Sequence, residues 1–201
     1  DINLKKFLSQ SPYYVLGNLA AFIASFLSLV IFTRLFSVED YGIYNLVLVT
    51  ISIISTIGLL GFPNSAIRFY HEYEKDLGTY YKTLFSATLF FSLLVSGIFL
   101  IVTLFLSSYL SPFTVSLFRI GALIVLTNNV VILISNFYRA SQKPKNYLIT
   151  QIAQKYGELI LATFLIIIGL GLRGRFIGTI IIDSIIIFLF FSPSFPIRRD
   201  T

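Results

Sequence analysis

The chain has 201 residues, of which 56% are hydrophobic and 12% charged, with a formal net charge of +6 and no cysteine. Its mean hydropathy is +0.87 and its pI about 9.6, whereas soluble domains carry roughly a quarter charged residues, so the composition belongs in lipid. Spans of about 20 residues each leave no length for a soluble catalytic domain, and the missing cysteine excludes disulfides, thiol nucleophiles and cysteine metal sites.

Methionine is absent even from position 1, where Asp1 stands, so the sequence is expected to be a piece of a longer product. At the amino end, Leu4, Phe7 and Leu8 fall at helical spacing opposite Lys5 and Lys6. That pattern fits a short interfacial helix over residues 2–11 on anionic lipid, with a disordered terminus as the alternative. The uncharged run Phe7–Thr33 predicts a first span over about 13–33. It is too long for a signal-peptide core and lacks an A-x-A cleavage site. Gly17, Ala20, Ala21, Ala24 and Ser28 give this span a small-residue face for close helix packing.

Ser37 precedes Glu39 and Asp40 as an N-cap with acids in the first turn, opening a second helix over about 42–66. The loop beyond it mixes Glu72, Glu74, Lys75 and Asp76, a solvated surface or a docking point for a partner. His71-Glu72 begins like H-E-x-x-H, but the fifth position is Lys75 and the chain has one histidine, so a zinc site is excluded.

The uncharged stretch Thr83–Phe118 is too long for one span. Ser107-Ser108-Tyr109-Leu110-Ser111-Pro112 has turn chemistry and divides it into a third helix at about 83–106 and a fourth at about 113–138. Pro144 acts as a breaker before a fifth helix at about 147–170. Gly169, Gly171 and Gly174 satisfy G-x-G-x-x-G, but an apolar helix precedes them instead of a strand, which rules against a dinucleotide fingerprint. They read as a tight outer turn carrying Arg173 and Arg175 before a sixth helix at about 176–191. The expected fold is an all-α integral membrane protein, a six-transmembrane-helix bundle over residues 1–201.

Tyrosine favours the membrane interface, and of the twelve tyrosines only Tyr156 falls well inside a predicted span. Lys5, Lys6, Arg68, Lys75, Lys82, Arg139, Lys143, Lys145, Arg198 and Arg199 lie on one side of this division. Only Arg34, Arg173 and Arg175 lie on the other. The bias places both termini in the cytoplasm, and the same scattered basic charge argues against a nucleic-acid partner.

Four charges fall within the spans: Arg119, Lys155, Glu158 and Asp183. Each costs roughly 2.5–3.5 kcal/mol at a helix centre on insertion scales, so each needs a partner or water. Gln151, Gln154, Lys155 and Glu158 share one helical face at i, i+3, i+4 and i+7. That stripe faces either a hydrated cavity or neighbouring helices, the second alternative being an internal Lys155–Glu158 pair that serves packing alone. Asp183, one turn after Thr179, points inward, toward Lys155 or Arg119. Arg119 is near enough to the outer end to snorkel, whereas Asn128 and Asn129 lie deeper and need interhelical partners.

The stretch Thr33-Arg34-Leu35-Phe36-Ser37-Val38-Glu39-Asp40-Tyr41-Gly42-Ile43-Tyr44 resembles the loop after helix one in polysaccharide-biosynthesis flippases of the Wzx type, within the MOP superfamily. Gly58-Leu59-Leu60-Gly61-Phe62-Pro63-Asn64-Ser65-Ala66-Ile67-Arg68 resembles the end of their second helix, and the basic segment Arg139–Lys145 fits their fourth loop. The resemblance implies a MATE-like two-lobed transporter of the cytoplasmic membrane, of which this chain is the amino-terminal lobe and a second six-helix lobe is a partner. It further implies alternating access around a cavity that passes polyprenyl-diphosphate-linked oligosaccharide, such as an O-antigen unit, while the lipid tail stays among membrane lipids. Polysaccharide polymerase and glycosyltransferases are partners of the same chemistry.

By that resemblance Lys155, Arg34 and Arg119 are candidate phosphate contacts and Glu158 and Asp183 set orientation or couple to ions, with Gln151 and Gln154 beside them. No catalytic residue, metal or cofactor is expected. The internal charges balance, two cations against two anions, so a cationic lumen does not follow from sequence. A cation-coupled drug or metabolite antiporter of the same superfamily, using Glu158 or Asp183, and a non-transporting six-helix scaffold remain as alternatives.

Overall fold

The computed structural model describes the backbone of residues 4–191 and the side chains of residues 12–191. Six long helices follow one another: α1 (Leu4–Leu35), α2 (Val38–Leu59), α4 (Leu77–Leu106), α5 (Pro112–Ala140), α6 (Pro144–Leu165) and α7 (Gly171–Phe191). A short α3 (Phe62–Arg68) and a 3₁₀ segment (Tyr70–Asp76) lie between α2 and α4. No strand occurs among the described residues, and the architecture is an all-α membrane bundle. Five stretches are long and apolar enough to cross a membrane by length and composition, the last of them, Pro144–Phe191, containing both α6 and α7.

Local chemistry sets most boundaries. Ser37 Oγ accepts from the Asp40 backbone N–H at 3.1 Å and caps α2. Asp76 caps α4 through the Thr79 N–H at 3.2 Å, and Ser111 caps α5 through the Thr114 N–H at 3.2 Å. Pro112 and Pro144 sit in the first turns of α5 and α6, where a missing N–H costs nothing.

Several boundaries differ from the sequence expectation. The amino-terminal segment is continuous with α1 from Leu4 instead of forming a separate interfacial helix; residues 2 and 3 lie outside the described residues. The second helix stops at Leu59, because Leu60 (φ 45°) and Gly61 (φ 79°) are both left-handed, and Pro63 restarts the chain as α3. The third helix begins at Leu77, not at residue 83, since one exposed lysine, Lys82, does not end a capped helix. Pro144 starts a helix where it was expected to break one, so the fifth runs 144–165. A π turn, Ile166–Leu170, leads to Gly169 (φ 102°) and Gly171 (φ 53°), and the sixth helix begins at Gly171, not at residue 176. The glycine turn itself is as expected.

α5 is the central helix, packed against α2, α3, α4, α6 and α7. Its Val125, Val131, Leu133 and Ile134 are shut away completely. Lipid tails are as apolar as leucine, so close van der Waals packing and interhelical hydrogen bonds hold such helices together. The α6–α7 hairpin shows the first: a Cβ on Gly174 would lie 2.9 Å from the Leu165 carbonyl carbon, and one on Gly178 3.0 Å from the Ala162 nitrogen. Buried Asn129 shows the second, its Nδ2 donating to Ser92 Oγ on α4 at 3.0 Å and to the Ser55 carbonyl on α2 at 3.4 Å. Phe22, Phe90, Phe105 and Phe188 project outward; such surfaces are costly in water and suited to lipid.

Candidate functional site

α1 lies along α6 and barely touches α2. Gly17 permits the close approach, since a Cβ there would stand 3.1 Å from the Tyr147 ring. The separation of α1 from α2 leaves a cleft of about 290 Å³, the α1–α2 cleft, lined by Ser28 of α1, Tyr41 and Asn45 of α2, Lys155 and Glu158 of α6 and Arg175 of α7. Ala24 and Ser28, read from sequence as packing residues, also line this cleft. Part of its wall is aromatic: Phe32 and Tyr44 line it with ring centroids 5.8 Å apart.

A second cleft, of about 240 Å³, opens between α5 and α6 on the side of their short connection. Asn136 and Arg139 of α5 and Gln151, Gln154 and Lys155 of α6 line it. Lys155 therefore borders both clefts.

The ionisable groups pair otherwise than expected. Glu158 does not pair with Lys155: its Oε2 lies 3.6 Å from Arg175 Nη2, with side chains 9% and 12% exposed. Arg175 also donates to Thr179 Oγ1 and stacks over Phe32 at 5.4 Å, so it is an inward residue of α7 and not an outer-turn residue. Asp183 reaches neither Lys155 nor Arg119. It is completely buried, and its oxygens accept from Gln154 Nε2 at 3.0 Å and Thr127 Oγ1 at 3.2 Å. Gln154 Nε2 also donates to Asn128 Oδ1 at 3.3 Å, giving Asn128 and Asn129 the interhelical partners they needed.

Thus the face Gln151, Gln154, Lys155 and Glu158 is brought together with Asp183 within one region, whereas Arg34 and Arg119 are exposed on the outside of α1 and α5 and line neither cleft. Among the described residues no ion pair takes up Lys155. Sequence reasoning missed Arg175, Thr127, Tyr41 and Asn45 as site residues. Arg175 had a legible signal: with Thr179 and Asp183 it forms an i, i+4, i+8 polar stripe on one face of α7.

The arrangement offers an ammonium between two clefts with no direct ion pair among the described residues, a buried ion pair, and a carboxyl hydrogen-bonded by neutral donors. No group of three or more His, Cys, Asp or Glu residues able to hold a metal occurs among the described residues.

The family model of the polysaccharide biosynthesis proteins matches residues 7–195. No curated protein and no solved structure matches the chain.

Proposed function

Because the chain belongs to the polysaccharide biosynthesis protein family, we propose that it moves polyprenyl-diphosphate-linked oligosaccharide across the cytoplasmic membrane by alternating access, as one lobe facing a second six-helix lobe. Both termini then lie in the cytoplasm, as the basic loops require.

The observation that carries the proposal is the position of Lys155. Glu158 pairs with Arg175 and Asp183 accepts from neutral donors, so Lys155 makes no direct ion pair with either, and its ammonium borders both clefts. A diphosphate entering either cleft meets that cation in a low-dielectric setting, where the attraction exceeds its value in water. The α1–α2 cleft supplies the rest of a sugar site: Asn45 and Ser28 for hydroxyl hydrogen bonds, and Tyr41 for an apolar ring face. Arg34 and Arg119 are not part of this site.

The test is transport of a fluorescent lipid-linked sugar by the full-length protein in proteoliposomes. Lys155→Gln is expected to lower the rate at least tenfold at unchanged folded yield. Equal rates would remove Lys155 and the proposal with it.

A cation-coupled antiporter is the second reading, favoured by Asp183. A fully buried carboxylate without a cation against it is costly in a membrane, and taking up a proton or a cation relieves the cost. A gradient-dependent transport rate that becomes gradient-independent in Asp183→Asn would decide for coupling.

A further inference from the structure

The mixed-charge loop between α2 and α4 takes no part in either cleft, yet it folds around a cavity of its own. The cavity measures about 450 Å³ and lies between α3, the 3₁₀ segment and the first turns of α4. The 3₁₀ segment sorts its side chains. Glu72, Tyr73 and Asp76 line the cavity, whereas Glu74 turns to His71, its Oε1 2.6 Å from Nδ1. Lys75 is not in the lining, and neither is any other basic residue. Among the described residues no ion pair takes up Glu72 or Asp76.

The wall beside these carboxyls is aromatic. Tyr73 and Tyr80 stack with ring centroids 5.2 Å apart and planes 11° from parallel, and Phe69 lines the cavity with them. Tyr80 is buried, and its hydroxyl donates to the Ser65 carbonyl at 2.9 Å, which fixes the ring and with it the stack. Asp76 is fixed as well, because it caps α4 through the Thr79 N–H. Carboxylates beside the faces of held tyrosine rings, with no basic side chain among them, are surroundings that suit an organic ammonium: the acids meet its charge and the rings its N–CH groups. A metal is the poorer fit, since no group of three or more metal-ligating side chains occurs among the described residues.

Position and charge point to the source of the ammonium. Tyr81, next to Tyr80, packs against Phe137 near the end of α5 with centroids 4.5 Å apart, so the cavity lies at the same end of the bundle as the basic Arg139–Lys145 segment. Tyrosines of this kind favour headgroup depth. Arg68 lies 5.3 Å over the ring of Phe69, which sets a guanidinium beside the acidic lining. Acid within and a cation alongside complement a zwitterionic headgroup, its ammonium in the cavity and its phosphodiester toward Arg68. We propose that the cavity between α3, the 3₁₀ segment and α4 binds the ammonium headgroup of a zwitterionic phospholipid, held by Glu72, Asp76 and the Tyr73–Tyr80 stack. The site is separate from both clefts and does not rest on the transport reading.

The experiment is binding of short-chain phosphatidylethanolamine to the full-length protein in detergent, followed by calorimetry, with phosphatidylglycerol of the same chains as the probe that lacks the ammonium. Glu72→Gln and Asp76→Asn are each expected to raise the phosphatidylethanolamine Kd about threefold, and about tenfold together, the range of partly exposed ion pairs; asparagine still caps α4. Tyr73→Leu removes a ring face and raises Kd about threefold, while Glu74→Gln, outside the lining, leaves it unchanged. Phosphatidylglycerol is expected to bind about tenfold more weakly than phosphatidylethanolamine and to be insensitive to Glu72→Gln. Equal affinity for the two lipids overturns the site, and so does an unchanged Kd in the Glu72→Gln, Asp76→Asn double variant at an unchanged melting temperature. Displacement of the lipid by an equimolar lysine-rich peptide assigns the cavity to a protein partner and overturns the lipid proposal.

Discussion

The two sides of α5 handle polar groups within the bundle differently. Toward α2 and α4 the polar side chains are small and uncharged: Ser55, Thr88, Ser92, Ser96 and Asn129, all buried. Asn129 bridges three helices, and Ser96 Oγ donates to the Ala122 carbonyl at 3.0 Å. Toward α6 and α7 the polar groups are ionisable, and they border two clefts. A hydroxyl or amide can be satisfied by one neighbouring backbone group and then acts as an interhelical tie. An ionisable group needs a counter-ion, water or several donors: Glu158 recruits Arg175, Lys155 lies beside open space, and Asp183 takes neutral donors from Gln154 and Thr127.

The sharpest break of this contrast is Arg175→Leu. It strands the Glu158 carboxylate inside the bundle, and removing one partner of a buried pair costs about 3–5 kcal/mol; thermal unfolding in detergent should fall steeply, and Glu158→Gln added to it should restore much of the loss. If the double variant is no better than the single one, Glu158 is not the group that Arg175 neutralises.

Gly178→Val comes next. It drives two methyl groups against the Ala162 backbone, and overpacking of this kind costs about 1–3 kcal/mol, read as a lower melting temperature; a neutral result would mean that the α6–α7 hairpin opens easily. Asn129→Ala removes ties on the other side of α5, where hydrogen bonds in membranes are worth about 0.6–1.7 kcal/mol each, so a small loss of stability with transport retained is expected. Loss of transport at full stability would erase the distinction between the two sides. Arg119→Gln should be the mildest, within about 0.5 kcal/mol and with transport unchanged, because the side chain is exposed and borders neither cleft.

Much of the architecture was legible in the amino-acid order. Uncharged runs, Ser107–Pro112 and the glycines at 169 and 171 divide the chain into six long helices, because lipid tolerates neither charge nor unpaired backbone and because a positive φ favours glycine. Ser37 announces its own cap. The break at Leu60 was not legible, since leucine carries no preference for the left-handed conformation it adopts there. Pro144 was ambiguous by nature: proline ends one helix or begins the next, and the sequence does not say which.

For the site, the helical period placed Gln151, Gln154, Lys155 and Glu158 on one face of α6, and that much the sequence determined by itself. It could not name the partners. Lys155 and Glu158 are three residues apart, and local spacing favours pairing them, yet Arg175 arrives from α7 and takes Glu158, while Gln154 and Thr127 take Asp183. Periodicity fixes the direction of a side chain around its own helix axis and carries no information about which helix lies across from it. Only the packing of α6 against α7 and α5, and the separation of α1 from α2, decided which charge is neutralised and which, Lys155, is left facing open space.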